Sequence, residues 1–202
     1  TDYPLFTGNV NADKLNLNSV ELTNIHGNAR LQGNAILLED FEFTQGEGIC
    51  KLYAIANTGT KILDGDVEVT NFDLEKLCQL AGYQTKILAG KLNSKIDLGG
   101  TLENPSVRVV GDISQGTLAG YDIHNTSLEL NLLNKVVYVN KFEGWQGDTG
   151  SFNLSGTADL VGALDLNLTS DKLDLRIIPA TAGLEKFDAA GTFSVNGKVG
   201  GT

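Results

Sequence analysis

Residues 128–132 read Leu-Glu-Leu-Asn-Leu, so apolar and polar side chains alternate at every position of this stretch. The same alternation occurs in 164–168, 152–155 and 67–70. Because successive side chains of an extended chain point to opposite sides, a period of two is typical of strands with one apolar face. Gly, Asn and Asp separate these stretches, as turns require. The pattern predicts an all-β protein with a meandering antiparallel sheet, built from strands of about five to seven residues.

One segment in each half of the chain departs from this period. The apolar residues near 71–82 have the i, i+3, i+4 and i+7 spacing of an amphipathic helix, and they are Leu74, Leu77, Cys78 and Ala81. Asn71 or Asp73 can cap the start of this helix, and Gly82 can end it. The later segment, near 174–183, contains Pro179, which predicts a shorter helix there. We therefore expect one or two short helices.

Landmarks of the sequence recur in order at an interval of 101 residues. Gly99-Gly100-Thr101 recurs as Gly200-Gly201-Thr202, and Asp73-Leu74 recurs as Asp174-Leu175. This repetition predicts two units, 1–101 and 102–202, that share one continuous sheet. Because repeat proteins usually contain more units and caps, we expect the chain to be a fragment of a longer protein.

Composition excludes several classes of function. The chain has 202 residues, 41% of them hydrophobic, and a formal charge of −10, with 25 acidic against 15 basic residues. An acidic chain without clustered Lys and Arg gains nothing from releasing counterions, so we expect no nucleic-acid partner. No run of apolar residues approaches the length of a membrane-spanning helix. The sequence thus indicates a domain with a substantial core.

Residues for catalysis or metal binding do not converge in the sequence. His26 and His124 lie in turn-like surroundings, and the predicted turn 64–66 (Asp-Gly-Asp) lacks the alternating oxygen ligands of a calcium loop. Cys50 and Cys78 are too far apart in sequence for a Cys-x-x-Cys redox pair or for the spacing of zinc ligands. Two alternatives remain: the two residues form a disulfide, or Cys78 packs as a small apolar residue on the helix. We therefore predict no enzymatic activity, no catalytic residue, no metal and no cofactor.

Residues 90–107 read Gly-Lys-Leu-Asn-Ser-Lys-Ile-Asp-Leu-Gly-Gly-Thr-Leu-Glu-Asn-Pro-Ser-Val. This run resembles a phrase that recurs in the TamB family and its AsmA-like relatives: an alternating strand, Gly-Thr, a spacer, Asn-Pro and a new strand. The following 116–118, 128–132 and 142–156 are also similar to that family. The resemblance extends over nearly the whole chain, although its motifs carry weight mainly through their order.

The resemblance implies a β-taco, an elongated antiparallel sheet curled into a U-shaped groove that is polar outside and apolar inside. It also implies the periplasmic portion of a protein anchored in the inner membrane of a diderm bacterium, or a chloroplast envelope relative. Family members are associated with phospholipid transfer to the outer membrane and, with a partner barrel of the TamA type, with outer-membrane protein assembly and protein secretion. Contact with membranes would then use other parts of the parent protein.

The alternation itself supports a groove that holds acyl chains. About fourteen strands at about 4.8 Å spacing would form a trough of about 65 Å, and the sequence offers no second layer to cover its apolar face. We predict that phospholipid or another acyl-chain lipid contacts twelve residues: Leu22, Leu38, Phe43, Val69, Ile96, Leu98, Leu130, Leu132, Val139, Phe152, Leu154 and Leu166.

Two other functions remain open at this point. The first is a scaffold that assembles outer-membrane proteins by pairing its exposed strand edge with client strands. The second is an adhesin built as a parallel β-helix, although coils of about twenty residues fit poorly with an interval of 101.

Overall fold

The computed structural model describes residues 5–80, 82, 88–160, 162–177 and 190–201. They form a single sheet of twelve strands, in which every strand pairs antiparallel with its neighbours in sequence. The sheet is elongated and curled and does not close into a barrel, which confirms the predicted fold class. The strands are β1 (Leu5–Leu17), β2 (Val20–Gln32), β3 (Ala35–Gln45), β4 (Gly48–Asn57), β5 (Leu63–Asp73), β6 (Leu88–Gly100), β7 (Pro105–Leu118), β8 (Tyr121–Leu133), β9 (Val136–Gln146), β10 (Gly150–Asp159), β11 (Leu164–Asp174) and β12 (Thr192–Gly201).

The strands are longer than the sequence pattern predicts. They have 10 to 14 residues each, so the expected length of about five to seven residues is wrong, and the described residues form twelve strands where about fourteen were expected. The reason is that single left-handed residues interrupt the alternation without ending the strand. Asn24, Asp40, Asn71, Asn125 and Lys172 have φ between 49° and 52°, and the pairing register shifts at each of them. These residues form β-bulges, which bend a strand and increase its twist.

Three segments with a predicted turn or turn-like character also lie inside strands. Residues 64–66 belong to β5, so the predicted Asp-Gly-Asp turn is wrong. His26 lies within β2, two residues after the bulged Asn24. His124 lies within β8, one residue before the bulged Asn125. In all three segments Asn or Gly, which are common turn residues, occupies a position in a strand.

Four of the five bulges, at Asn24, Asn71, Asn125 and Lys172, lie toward one end of their strands, and the core lies at the same end; the bulge at Asp40 lies in the middle of β3. Phe43 of β3 and Phe72 of β5 have ring centroids 6.2 Å apart, although strands two apart in a flat sheet are separated by about 9.6 Å. The two rings therefore lean toward each other across β4 on this face. Buried apolar residues gather here, including Val69, Leu92 and Ile113.

A helix covers this end of the sheet. Helix α1 (Leu74–Leu80) follows β5 directly, and Asp73 Oδ1 accepts hydrogen bonds from the backbone N–H groups of Glu75 (3.0 Å) and Lys76 (3.2 Å). These bonds satisfy donors that the first turn leaves unpaired. The structure therefore places a helix within the predicted 71–82 but shortens it, because Asn71 remains in β5.

Leucines hold α1 against the sheet. Leu74, Leu77 and Leu80 pack on the buried residues of β4 to β8, and Leu80 also contacts the buried residues of β2. The side-chain amide of Asn18 donates to the carbonyl oxygen of Leu80 at 3.1 Å. Cys78 is half-buried, and Ala81 lies outside the described residues. The helix thus connects strands that are distant along the sheet.

The backbone repeats the interval of 101 residues seen in the sequence. Left-handed residues occur in equivalent pairs, such as Asn24 with Asn125 and Gly46 with Gly147. Of the second predicted helix, 174–183, only 174–177 is described; Asp174 Oδ1 accepts from the N–H of Arg176 at 2.9 Å, as Asp73 does in α1. Antiparallel pairing between sequential strands leaves no parallel β-helix among the described residues.

Candidate functional site

One face of the sheet is apolar along its length. Residues directly opposite each other in paired strands share a face, and residues two apart in a regular strand do so as well. Strand β4 contains no left-handed residue, so Cys50, Leu52 and Ala54 lie on the same face. Cys50 is buried in the core under α1, which identifies this face as the inner face of the curl.

Three ladders of directly paired residues cross the inner face from β3 to β12. The helix-end ladder is Phe43, Cys50, Val69, Ser94, Gly111, Leu128, Phe142, Leu154, Leu168 and Gly197. The middle ladder is Phe41, Leu52, Val67, Ile96, Val109, Leu130, Val139, Gly156, Leu166 and Val199. The open-end ladder is Leu38, Ala54, Gly65, Leu98, Val107, Leu132, Val137, Ala158, Leu164 and Gly201.

These ladders contain no charged residue, and Ser94 is their one polar member. We call the surface that the three ladders form the apolar groove. It follows the whole width of the sheet between β3 and β12, a distance of about 43 Å at a strand spacing of about 4.8 Å.

The register brings the twelve predicted lipid-contacting residues to this one face. Ten of them are members of the ladders: Leu38, Phe43, Val69, Ile96, Leu98, Leu130, Leu132, Val139, Leu154 and Leu166. Leu22 and Phe152 also lie on the inner face. Leu22 does so because the next residue, Thr23, pairs with Thr44 on the outer face. Phe152 pairs with Gly144 beside the helix-end ladder. Contact with lipid remains a prediction for all of them.

Burial divides the twelve residues into two groups. Leu22, Val69 and Phe152 are 4%, 1% and 6% exposed, so they are core residues with no surface to offer a ligand. The other nine are partly exposed along the described face. The accessible groove therefore lies mainly on the middle and open-end ladders, where α1 does not cover the sheet.

Sequence reasoning missed several members of the groove. Val107 and Val109 alternate with polar residues in 105–109, so the signal was present there. Leu52 lies in Lys-Leu-Tyr-Ala-Ile-Ala, where both faces are largely apolar and alternation cannot distinguish them. Only the pairing of Leu52 with Phe41 and Val67 assigns it to the inner face.

The outer face is charged and forms ion pairs between neighbouring strands. Arg108 lies 3.6 Å from Asp97 and 3.2 Å from Glu129, and Lys51 lies 3.8 Å from Glu42. These residues alternate with the ladder residues along their strands. Exposed ion pairs of this kind contribute little to stability, about 0–1 kcal/mol each. Their consequence is a polar surface opposite an apolar one.

Both cysteines are free, so the disulfide alternative is wrong. Cys50 packs with Val69 and Phe72, and burial raises the pKa of its thiol to about 12. Burial also raises the pKa of Cys78, and the nearby carboxylate of Glu75 adds to this effect. Neither thiol is activated as a nucleophile, since activation requires a lowered pKa.

The described residues contain no group of three or more His, Cys, Asp or Glu side chains that could hold a metal ion. Within the same part of the chain, no helix has both the length and the hydropathy needed to cross a membrane. Comparison of the chain with protein-family models, curated proteins and solved structures produced no match.

Proposed function

We propose that this chain is non-enzymatic and that its apolar groove carries phospholipid acyl chains between two membranes. The observation that carries the proposal is the inner face of the sheet, which is free of charge at every ladder position between β3 and β12. The resemblance to TamB and AsmA-like proteins favours the periplasm of a diderm bacterium, between inner and outer membranes, and a chloroplast envelope is the second setting.

The chemistry of the groove suits acyl chains better than polar ligands. Each methylene group removed from water contributes about 0.8 kcal/mol and requires no specific partner. A ligand with polar groups would need donors or acceptors, and on the ladders only Ser94 offers a side-chain hydroxyl, which is buried. A groove that is open on one side also allows a lipid headgroup to remain in water.

The extent of the partly exposed apolar surface supports the same conclusion. Soluble monomers rarely expose contiguous apolar patches larger than a few hundred Å². The middle and open-end ladders run across ten strands, and their members Leu164 and Val199 are 40% and 47% exposed. A surface of this kind is stabilised when an apolar ligand covers it.

Two substitutions on one strand test the proposal. Leu130 lies in the middle ladder between Val109 and Val139, and Leu133 lies on the outer face of the same strand and is 48% exposed. We expect native mass spectrometry of the purified chain to detect bound phospholipid, Leu130→Asp to lose most of it, and Leu133→Asp to retain it. Circular dichroism establishes that both variants are folded. Absence of lipid from the unmodified chain, or equal lipid in Leu130→Asp, would refute the proposal.

Free strand edges favour a second candidate function. Along β1 and β12, one edge has no partner strand among the described residues, and such edges can accept an added strand. The chain would then act as a scaffold for outer-membrane proteins, together with a barrel of the TamA type. This function depends on main-chain pairing, so Leu130→Asp should leave the binding of client strands unchanged while abolishing lipid binding.

A further inference from the structure

The outer face of the sheet carries an exposed tryptophan in the second half of the chain. Trp145 of β9 is 47% exposed and is the one tryptophan of the sequence. It lies on the outer face because its neighbours in sequence, Gly144 and Gln146, are buried on the inner face. At the interval of 101 residues the equivalent position is Thr44, which forms a hydrogen bond of 2.9 Å with Thr23. Folding of the sheet therefore does not require an aromatic ring at this position.

Five polar side chains form a regular grid with this ring. The register places β9, β10 and β11 side by side, with two outer-face residues of each strand directly opposite one another. The first row is Trp145, Ser151 and Asp171, and the second row is Glu143, Asn153 and Thr169. With about 4.8 Å between strands and about 3.4 Å per residue, the grid measures about 10 Å by about 7 Å. We call the space between the two rows the polar cleft, and the residues that form its floor are Gly144, Phe152 and Ser170.

The polar cleft offers both donors and acceptors of hydrogen bonds. Among the described residues, the hydroxyl groups of Ser151 and Thr169 and the indole N–H of Trp145 have no hydrogen-bond partner. A hydroxyl group both donates and accepts, whereas an indole N–H only donates. These three groups are therefore available to a ligand that itself carries both donors and acceptors.

Two carboxylates at opposite corners of the polar cleft are held in place by their neighbours. The pKa of Glu143 is lowered by a hydrogen bond from Lys141, at 2.7 Å, and by one from Asn153 Nδ2, at 3.1 Å. Asp171 Oδ1 accepts from Ser194 Oγ at 2.7 Å. Groups that are already fixed lose less conformational entropy when a ligand binds. The acceptors of the polar cleft are thus oriented before binding.

We propose that the polar cleft binds a glycan of glucose or N-acetylglucosamine units, with one sugar ring stacked on Trp145. The equatorial substituents of such a ring leave only C–H groups on its two faces. These C–H groups carry a partial positive charge, which the negative face of an indole ring attracts. The hydroxyl groups at the edge of the sugar ring both donate and accept, as the polar cleft does.

Two other classes of ligand that stack on tryptophan fit the polar cleft less well. A nucleotide brings phosphate groups, which the carboxylates of Glu143 and Asp171 and the net charge of −10 repel. An organic cation needs acceptors alone and is repelled by Lys141 beside Glu143. The polar cleft and the apolar groove lie on opposite faces of the sheet, so glycan binding does not depend on the binding of lipid.

The fluorescence of Trp145 tests the proposal, because no other tryptophan contributes to the signal. The chain is titrated with cellotetraose and with chitotetraose, and sorbitol serves as a polyol without a ring. We expect a saturable change in emission with at least one glycan, with a dissociation constant of about 1 mM or below, and no saturable change with sorbitol. No change with either glycan at about 10 mM, an equal change with sorbitol, or saturable binding of tetramethylammonium alone would overturn the proposal.

Side-chain variants locate binding at the polar cleft, with NMR of the glycan as the readout and circular dichroism as the check of folding. Trp145→Ala should weaken binding about ten-fold or more, and Trp145→Phe, which retains an aromatic face, should recover part of the loss. Thr169→Val removes a hydroxyl group at nearly constant shape and should weaken binding several-fold. The control Tyr138→Ala removes a 40% exposed ring from the outer face of the same strand, outside the polar cleft, and should leave binding unchanged. Unchanged binding in Trp145→Ala, or equal weakening in Tyr138→Ala, would overturn the proposal.

Discussion

Replacing Phe72 with alanine removes the side chain at the centre of the core beneath helix α1. Phe72 is completely buried, and its ring packs edge-on against Phe43 two strands away. It also belongs to the cluster that Leu74, Leu77 and Leu80 of α1 cover. Loss of this side chain therefore weakens two contacts: the packing of β5 against Phe43 of β3, and the packing of α1 on the sheet.

The expected loss of stability follows from complete burial. Phe-to-Ala substitutions in cores cost about 3–5 kcal/mol, and an edge-on aromatic pair contributes about 0.5–1.5 kcal/mol of additional interaction. With a urea dependence of about 2 kcal/mol per molar, a total loss of about 3.5–6.5 kcal/mol should lower the midpoint of unfolding by about 1.8–3.3 M. The matched control is Tyr53→Ala on the outer face, 36% exposed, which should change stability by less than about 1 kcal/mol.

Equilibrium unfolding in urea, followed by circular dichroism, measures both variants. A loss below about 1 kcal/mol for Phe72→Ala, or equal losses for Phe72→Ala and Tyr53→Ala, would refute the assignment of the core to the helix end of the inner face.

Three smaller predictions follow from the helix starts and the thiols. Asp73→Ala removes the cap of α1 and should lower the free energy of unfolding by about 1 kcal/mol in the same urea assay, whereas a loss below about 0.3 kcal/mol would contradict the role of the cap. Iodoacetamide should modify Cys78 in the folded protein well before Cys50, which is 3% exposed; mass spectrometry showing equal rates would contradict this. Hydrogen bonds from Arg176 lower the pKa of Asp174 from 3.8 to about 2, so the stabilisation is present above about pH 4 and is lost as the pH falls toward 2. The melting temperature should therefore fall less with decreasing pH in Asp174→Asn than in the unmodified chain. An equal fall in both would disprove the stabilising role of the Asp174–Arg176 hydrogen bonds.

Alternation in the sequence was sufficient to place the twelve predicted residues on one face of the sheet, although it could not assign Leu52. In 128–132 every second residue is leucine, and the ladders place Leu128, Leu130 and Leu132 on the inner face. This works because a strand has a side-chain period of two regardless of its partners. The number of strands could not be predicted, since Asn24 and Asn71 resemble turn residues but form bulges within strands.

Burial of the groove residues could not be predicted from the same pattern. Val69 and Ile96 occur in equally regular alternation, yet Val69 is buried and Ile96 is partly exposed. The difference arises because α1 returns across the sheet to β2 and covers the helix end alone. The start of α1 could be predicted from its capping Asp73, but its position over distant strands depends on the curl of the sheet.

Photo-cross-linking on β6 tests the central claim of a lipid-carrying groove most directly. Leu98 belongs to the open-end ladder, and its neighbour Asp97 lies on the outer face beside Arg108. With a photoreactive residue at position 98 or 97 and vesicles of a phospholipid with defined acyl chains, we expect lipid adducts by mass spectrometry at position 98 and none at position 97. Adducts of equal yield at both positions, or none at position 98, would contradict the account.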